Sequence, residues 1–556
     1  MLPLALLEVL GPTLTPPGMP VQLKVHRALK NSQATVRVHD AVALRREWKL
    51  GPSQDRVTFT PPPGWTGALI FSCSEKLGTE SFGTTGYALV DVSKSWKENP
   101  RYGYVTDYAQ DPERARESIR AMAKLGINAV QFYDWMPKHH DPEPRSTEWK
   151  DLAGRPVRET TLRSLIEESK KLRMGALAYN LIFGAYDNAL GDGSGVQRAW
   201  SLFEDPALTK PWVHPLPEDW ATPRLRLMDP SNAGWRKFFI GRMEKAILRL
   251  GFTGWHVDQL GNPGRRFNSR GEEVHLVDGF LQTLKQFRED MPTADLIFNN
   301  VAGYGLKETA AAPVEALYIE VWDNAKTYLD VANLVLGARS LGKACIIAGY
   351  INSTMQQRGP GEFNADAFEC MLASVLASGG WWLGPGDGGD WLCHEYFPNK
   401  NLSLSGPSQE RLQRYAAFAT LHQAILRHET PVVGWHRVGE SSVWMLQGKT
   451  WATLVNLESM DKAPWRDLDG TFQASEPVPA GLISIRSNSI PKHVRWATPE
   501  GDFWAPKVLP VQREPGGFSL KSPAWDRWAL VRWDEPGSWP KQTPPTARPP
   551  QKTGEK

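Results

Sequence analysis

Residues 254–258 read GWHVD, and residues 316–322 read ALYIEVW. Each is a short apolar run that reaches a carboxylate near its C-terminal end, Asp258 in one and Glu320 in the other. Runs of this length, rich in aromatic and β-branched residues and bounded by polar groups, read as buried strands. Six more segments share that grammar: 102–108 (YGYVTDY), 127–135 (INAVQFYDW), 174–183 (MGALAYNLIF), 295–300 (DLIFNN), 344–350 (ACIIAGY) and 381–384 (WWLG). The stretches between them carry helix signals. Asp111 and Pro112 supply an N-cap and a first-turn proline, and Ile119, Met122 and Leu125 follow on one face. Trp235, Phe238, Phe239, Met243, Ile247 and Leu250 recur at helical spacing. Further helices are predicted from Thr161, around 276–287, around 368–376 and from near Ser408. Eight strand-then-helix units across residues 98–430 predict a central (β/α)8 TIM barrel.

Outside that span the period changes, and the chain reads as multidomain. Val21, Leu23 and Val25 alternate with Gln22 and Lys24, and Val36 and Val38 flank Arg37, so residues 1–97 predict an N-terminal β-sandwich. Residues 431–535 return to strands, with a hairpin at Gln447-Gly448-Lys449, and predict a second, C-terminal β-sandwich. The Pro-, Lys- and Thr-rich tail at 536–556 has too little apolar surface to fold and is expected to be disordered. The longest insertion in the barrel, about Ala185 to Pro223, follows the third strand and is expected to overhang the barrel mouth. Residues 1–10 (MLPLALLEVL) are apolar but lack a basic segment and a small-residue cleavage site, so they read as an opening strand and not as a clear signal peptide.

Composition excludes several function classes. A chain of 556 residues with formal net charge +3 gives no footing for a polyanionic partner such as nucleic acid. No apolar stretch approaches the roughly 20 residues that cross a bilayer, so no membrane role is expected. The 4 cysteines, Cys73, Cys345, Cys370 and Cys393, show no CxxC spacing and read as isolated buried thiols. The 24 tryptophans read mainly as core, with a few in a cleft, where an indole matches a pyranose face and its N–H reaches a hydroxyl. No cofactor and no metal are expected, and the chain is expected to act as a monomer.

Barrels of this kind gather reactive groups at the C-terminal ends of their strands. Those ends hold Asp134, Tyr179-Asn180, Asp258-Gln259, Asn299-Asn300, Glu320 and Tyr350. Carboxylates, amides and aromatic faces are the groups that sugar chemistry uses. A Ser–His pair, a strand lysine and a phosphate-binding loop are missing from the motifs. Cleaving a glycosidic bond takes one carboxylate at the anomeric carbon and one carboxylic acid for the leaving oxygen. Asp258 and Glu320 end the fourth and sixth strands on one rim, where side chains can approach the ~5–5.5 Å spacing of double displacement. Gln259 and His256 can keep Asp258 ionised, while Ile319, Val321 and Trp322 can desolvate Glu320 and raise its pKa. That argument alone leaves the two roles interchangeable. His139-His140-Asp141 could suggest a metal, but adjacent histidines on one loop rarely share an ion without a further ligand, so sugar contacts are expected there; the 384–390 loop (GPGDGGD), with Asp387 and Asp390, lacks EF-hand spacing, so a turn or a substrate contact is expected.

Several blocks resemble glycoside hydrolase family 66, the dextranases and cycloisomaltooligosaccharide glucanotransferases. Residues 251–261 (GFTGWHVDQLG) resemble its nucleophile segment, and residues 317–322 (LYIEVW) its acid/base segment. Residues 131–135 (QFYDW) followed by Lys138-His139-His140, residues 178–180 (AYN) and residues 395–399 (EYFPN) are also similar. The resemblance implies an immunoglobulin-like N-terminal domain and a Greek-key C-terminal domain around the barrel. It implies retaining, endo-type hydrolysis of α-1,6-glucan, with Asp258 as nucleophile and Glu320 as acid/base. Expected substrate contacts are Tyr133, Asp134, Trp135, His140, Tyr179, Asn180, His256, Gln259, Asn300, Trp322, Tyr350 and Glu395. The family's cyclising transferases typically carry an inserted carbohydrate-binding module. No such β-rich insertion is visible here, which favours a hydrolase over the alternatives of a glucanotransferase or a non-catalytic glucan-binding protein. A polymeric substrate of this kind implies a secreted or extracellular enzyme.

Overall fold

The computed structural model describes residues 7–27, 32–77, 80–398 and 401–533. Its centre is a ring of eight parallel strands: β1 (Tyr102–Val105), β2 (Ala129–Phe132), β3 (Gly175–Leu181), β4 (Gly254–Asp258), β5 (Asp295–Asn299), β6 (Ala316–Glu320), β7 (Ala344–Ala348) and β8 (Trp381–Trp382). They are hydrogen-bonded in the order β8-β7-β6-β5-β4-β3-β2-β1, so every strand lies beside its neighbours in sequence. The ring is nearly closed between its ends. There the Gly384 N–H donates to the Tyr102 carbonyl at 3.2 Å, and the Trp381 indole donates to the same carbonyl at 3.0 Å. Gly386 bridges to Tyr104 just beyond, where a Cβ would enter the tyrosine ring.

A helix follows each strand: α1 (Pro112–Lys124), α2 (Glu159–Lys171), α3 (Ala233–Leu250), α4 (Leu276–Asp290), the short α5 (Leu306–Ala310), α6 (Tyr328–Ser340), α7 (Ala365–Ala377) and α8 (Gly406–Leu421). Local chemistry explains their ends. The Asp111 carboxylate accepts from the N–H groups of Glu113 and Arg114 at the start of α1. Asn232 caps α3, which stops at Gly251 with φ 89°. The sequence patterning passed over α6. It carries apolar residues on most of its surface, so no single stripe stands out, although Thr327 and Asp330 form a reciprocal capping box at its start.

The insertion after β3 folds into a small antiparallel sheet of Gly184–Tyr186, Val213–Pro215 and Arg224–Leu227. It places His214, Leu216, Trp220 and Leu225 on the cavity at the barrel mouth. The N-terminal region forms a three-stranded and a five-stranded sheet around a core that includes Leu23, Val36, Val38, Phe71 and Val90. The alternating valines and leucines face that core, as the period-two pattern requires. The C-terminal region is an eight-stranded antiparallel sheet, wrapped around Met445, Leu454, Trp496, Phe518 and Val531. Its hairpin pairs Gln447 with Ala452. One loop of this region returns to the barrel rim, where the Asn352 amide donates to the Asp467 carbonyl at 2.6 Å.

Leu7–Val9 is a strand, but residues 1–6 of the expected opening strand and the tail at 536–556 lie outside the described residues. All four cysteines are buried thiols, and no disulfide forms among the described residues. Among the described residues, no helix is long and apolar enough to cross a membrane.

Candidate active site

Strand periodicity sets which groups face the barrel axis. The register pairs Tyr179 with His256 across β3 and β4, and Asn299 with Tyr318 across β5 and β6. Residues two further on, Asp258 and Glu320, form the next layer at the rim. Between them stands Asn299 at the end of β5. Its amide nitrogen donates to Asp258 Oδ1 at 2.7 Å and to Glu320 Oε2 at 3.1 Å. The two carboxylates therefore share one nitrogen atom. Asp258 also accepts from the Tyr179 hydroxyl at 2.8 Å and from the Gln259 backbone N–H at 2.8 Å. Glu320 accepts from the Tyr350 hydroxyl at 3.0 Å. The Gln259 side chain braces the rim by donating to the Asn299 carbonyl at 3.1 Å.

Electrostatics separate the two acids. Removal from water, reinforced by the nearby charge of Asp258, pushes the Glu320 carboxyl up to about 8. Burial also raises Asp258, but hydrogen bonds from Tyr179, Asn299 and the Gln259 N–H oppose that rise. With more donors on Asp258, the charge rests there and the proton rests on Glu320. Below them, burial lowers the His256 imidazole to about 3, so it is a neutral part of the floor, with Nδ1 3.0 Å from the Tyr102 hydroxyl.

The folded-state value of Glu320 lies above its ordinary 4.5, so the folded protein holds this proton more tightly than the unfolded chain does. Stability from the group is fully present below the ordinary value and is lost as pH rises through about 8. Glu320→Gln cannot ionise. It should melt close to the wild type at pH 4.5 and a few degrees above it at pH 8. Thermal denaturation at both pH values checks this, and an equal or lower melting temperature at pH 8 would refute it.

The carboxylates sit in a cavity of about 270 Å³. Of the expected substrate contacts, Tyr133, Asp134, Tyr179, His256, Gln259, Trp322, Tyr350 and Glu395 line it. Trp135, His140, Asn180 and Asn300 do not, and each has a structural partner. The Trp135 indole donates to the Tyr179 carbonyl at 3.1 Å and packs on Phe252 behind the wall. Asn180 follows an inward-facing tyrosine, so it points outward, where it donates to the His139 carbonyl at 2.8 Å. His140 is fully buried, with Nε2 3.0 Å from Asp192. The Asn300 amide donates to Thr309 at 2.8 Å and holds the turn into α5. In two of these pairs the cavity takes the preceding residue instead, Asn299 and His139. The patterning also missed Gln131, Trp220, Tyr396 and Phe397 on the cavity wall. The block at 395–399 was the signal for the last two, and Asn399 itself lies outside the described residues.

The other candidate ligand groups have partners within the protein. Asp387 accepts from the Thr106 hydroxyl at 3.2 Å and from the Asp107 N–H at 2.8 Å, tying the loop after β8 to the end of β1. Glu369, Glu500 and Asp526 converge where the barrel meets the C-terminal sheet. Arg411 stands among them at 3.2, 2.9 and 2.5 Å and brings one positive charge to the three acids.

Comparison with known proteins agrees with this architecture. In fold, the chain is similar to a Paenibacillus sp. cycloisomaltooligosaccharide glucanotransferase, solved in complex with cycloisomaltoheptaose. The TM-score is 0.82 at 17% identity, over 94% of this chain and 99% of that one. In sequence, it is 30% identical over 290 residues to a cycloisomaltooligosaccharide glucanotransferase of Niallia circulans, covering 48% of this chain and 29% of that protein. It is 24% identical over 419 residues to a dextranase of Streptococcus salivarius, covering 66% of this chain and 50% of that protein. The matches thus span half or less of the length of these relatives. The model of glycosyl hydrolase family 66 matches residues 17–531, nearly the whole chain, and on that match the protein belongs to glycosyl hydrolase family 66.

Proposed function

We propose that this protein cleaves α-1,6-glucosidic linkages of dextran-type glucan by double displacement, with Asp258 as nucleophile and Glu320 as general acid/base. The observation that carries this reading is the single Asn299 amide held at 2.7 and 3.1 Å from the two carboxylates. Two oxygens on one nitrogen at those distances lie closer together than the ~6.5–9.5 Å an inverting pair needs for its intervening water. Asp258 attacks the anomeric carbon as Glu320 passes its proton to the departing glycosidic oxygen. Glu320, now ionised, then takes a proton from water, which attacks the glycosyl ester and frees Asp258. The substrate class rests on the relatives named dextranase and cycloisomaltooligosaccharide glucanotransferase. Because dextran is too large to cross a membrane, we place the enzyme outside the cell.

Transglycosylation is the second reading, favoured by the two relatives named as glucanotransferases. It uses the same carboxylates, with a sugar hydroxyl in place of water. A panel of α-1,6-, α-1,4-, α-1,3- and β-linked glucans, with products followed by mass and anomeric configuration, tests both. Linear isomaltooligosaccharides released first as α-anomers are expected from dextran. Mainly cyclic products would establish the transferase. Dextran binding without release of any sugar would leave only a glucan-binding protein.

The pH profile provides a separate check. The acid form of Glu320 is required, so kcat/KM should fall about tenfold per unit above a pH near 8. A flat profile to pH 10 would remove Glu320 from the acid role.

A further inference from the structure

The loop of the C-terminal region that returns to the barrel rim lies between the strands Trp451–Asn456 and Gly481–Arg486 and carries Trp465, Arg466 and Asp467. Trp465 is buried against the loop after β6. Its indole donates to the Ala325 carbonyl at 2.8 Å, and its backbone N–H donates to the Lys326 carbonyl at 3.3 Å. Asp467 is held by the loop after β7, where the Asn352 amide donates to its carboxylate at 2.9 Å. The Asn352 backbone N–H donates to the Arg466 carbonyl at 3.0 Å. Asp467 has φ 41°, a left-handed conformation uncommon without glycine, and its Oδ1 accepts from the N–H groups of Thr471 and Phe472 at 2.9 Å each. Arg466 is thus fixed on both sides, by the same two loops that carry Trp322 and Tyr350.

The Arg466 guanidinium lies over the Trp322 ring, 4.9 Å from its centroid, and 5.7 Å from that of Trp465. Arg466 Nε is buried without a hydrogen-bond partner, and the guanidinium has no carboxylate partner among the described residues. With no acid beside it, the cation rests on the two indole faces. Trp322 lines the cavity and Arg466 does not. Trp322 is partly exposed, and its indole N–H has no partner among the described residues. Its ring meets that of Tyr350 at 5.8 Å, and the Tyr350 hydroxyl donates to Glu320 at 3.0 Å. Trp322 therefore stands beside the acid, with Arg466 behind it.

Resting on the function proposed above, we infer that Arg466 is a positioning residue for the sugar that leaves, and that the C-terminal region acts on specificity through it. Displacement at the anomeric carbon puts the departing oxygen on the side away from Asp258 and within reach of Glu320. The sugar attached to that oxygen extends from Glu320 over Trp322, whose indole offers a ring face and an N–H. Arg466 touches no sugar. It holds the indole in one orientation, so that the leaving sugar stacks on a platform already fixed and the cost of ordering a partly exposed side chain is not met on binding. A sugar hydroxyl that replaces water in the second step must occupy the same position. The same contact therefore bears on the choice between hydrolysis and transfer.

The test compares two substrates on the full chain. Isomaltohexaose releases a sugar, whereas α-isomaltotriosyl fluoride releases only fluoride, which is too small to reach Trp322. Arg466→Ala should lower kcat/KM on isomaltohexaose about five- to tenfold and on the fluoride by less than about twofold. In a Trp322→Ala background the same substitution should cost less than about twofold on isomaltohexaose, because no ring is left to hold. Equal losses on the two substrates would make Arg466 a support of the fold. No loss on isomaltohexaose, or an undiminished loss in the Trp322→Ala background, would show that it does not act through the indole. Each of these results overturns the inference and leaves the proposed function standing. Failure of the wild type to turn over isomaltohexaose, the fluoride and dextran alike would defeat the proposed function itself, and the inference with it.

Discussion

Asp258→Ala is expected to lower turnover of every glucan by about 10⁵–10⁶-fold, the scale on which loss of a covalent nucleophile acts in other hydrolases. Asp258 is the carboxylate whose charge is supported by the Tyr179 hydroxyl, the Asn299 amide and the Gln259 N–H. Glu320 is too protonated at neutral pH to replace it, because burial and the Asp258 charge push its carboxyl up to about 8. Removing Asp258 leaves a space beside the anomeric carbon that a small anion can enter. Azide should restore a small part of the rate and give a β-glycosyl azide, inverted relative to the substrate. The variant should still bind isomaltooligosaccharide, since the other groups lining the cavity remain. Near-normal activity, or an azide product of retained configuration, would take the nucleophile role from Asp258.

Glu320→Ala should behave differently, and the contrast separates the two roles. On glucan the loss should be about 10²–10⁴-fold, the usual contribution of a positioned acid/base. On an aryl glucoside with a good leaving group the first step should be much less impaired, because that group departs without a proton. The second step should remain slow, since the same carboxylate activates water. A glycosyl-enzyme should therefore accumulate, seen as a burst of released phenol and as a mass increase of the protein. Azide should speed its breakdown and give the α-glycosyl azide, with retained configuration. Equal losses on glucan and on the activated glycoside would show that Glu320 supports the fold or binding and does not transfer the proton.

Much of this site was legible in the chain because its signals are local. Apolar runs ending in polar groups marked all eight strands, and the barrel rule carried Asp258 and Glu320 to one rim. The N-cap at Asp111 and the apolar stripe of α3 are also set within a few residues. Two of the differences between the expected and the observed cavity lining are of one kind. Where two polar residues adjoin at a strand end, a shift of one position reverses the direction of the side chain, and composition does not record it. Asn299 and Asn300 are the clearest case. One bridges both carboxylates and the other holds a turn. His139 and His140 divide in the same way, one lining the cavity and the other lying behind it on Asp192.

By itself, then, the sequence determined the barrel, the presence of a flanking β-region at each end and the placement of Asp258 and Glu320 at strand ends, because each is written in periodicities and strand ends a few residues long. The tertiary structure decided the sharing of Asn299, the relative proton affinity of the two acids and the meeting of distant loops at the cavity wall. These depend on residues far apart in the chain. Asn299 and Glu320 are 21 positions apart, and Arg155 reaches Phe397 across 242. Proton affinity follows from burial and from which donors arrive, and the cavity wall follows from which loops meet. Both are properties of the packed barrel, in which distant strand ends and loops are brought to within hydrogen-bonding distance.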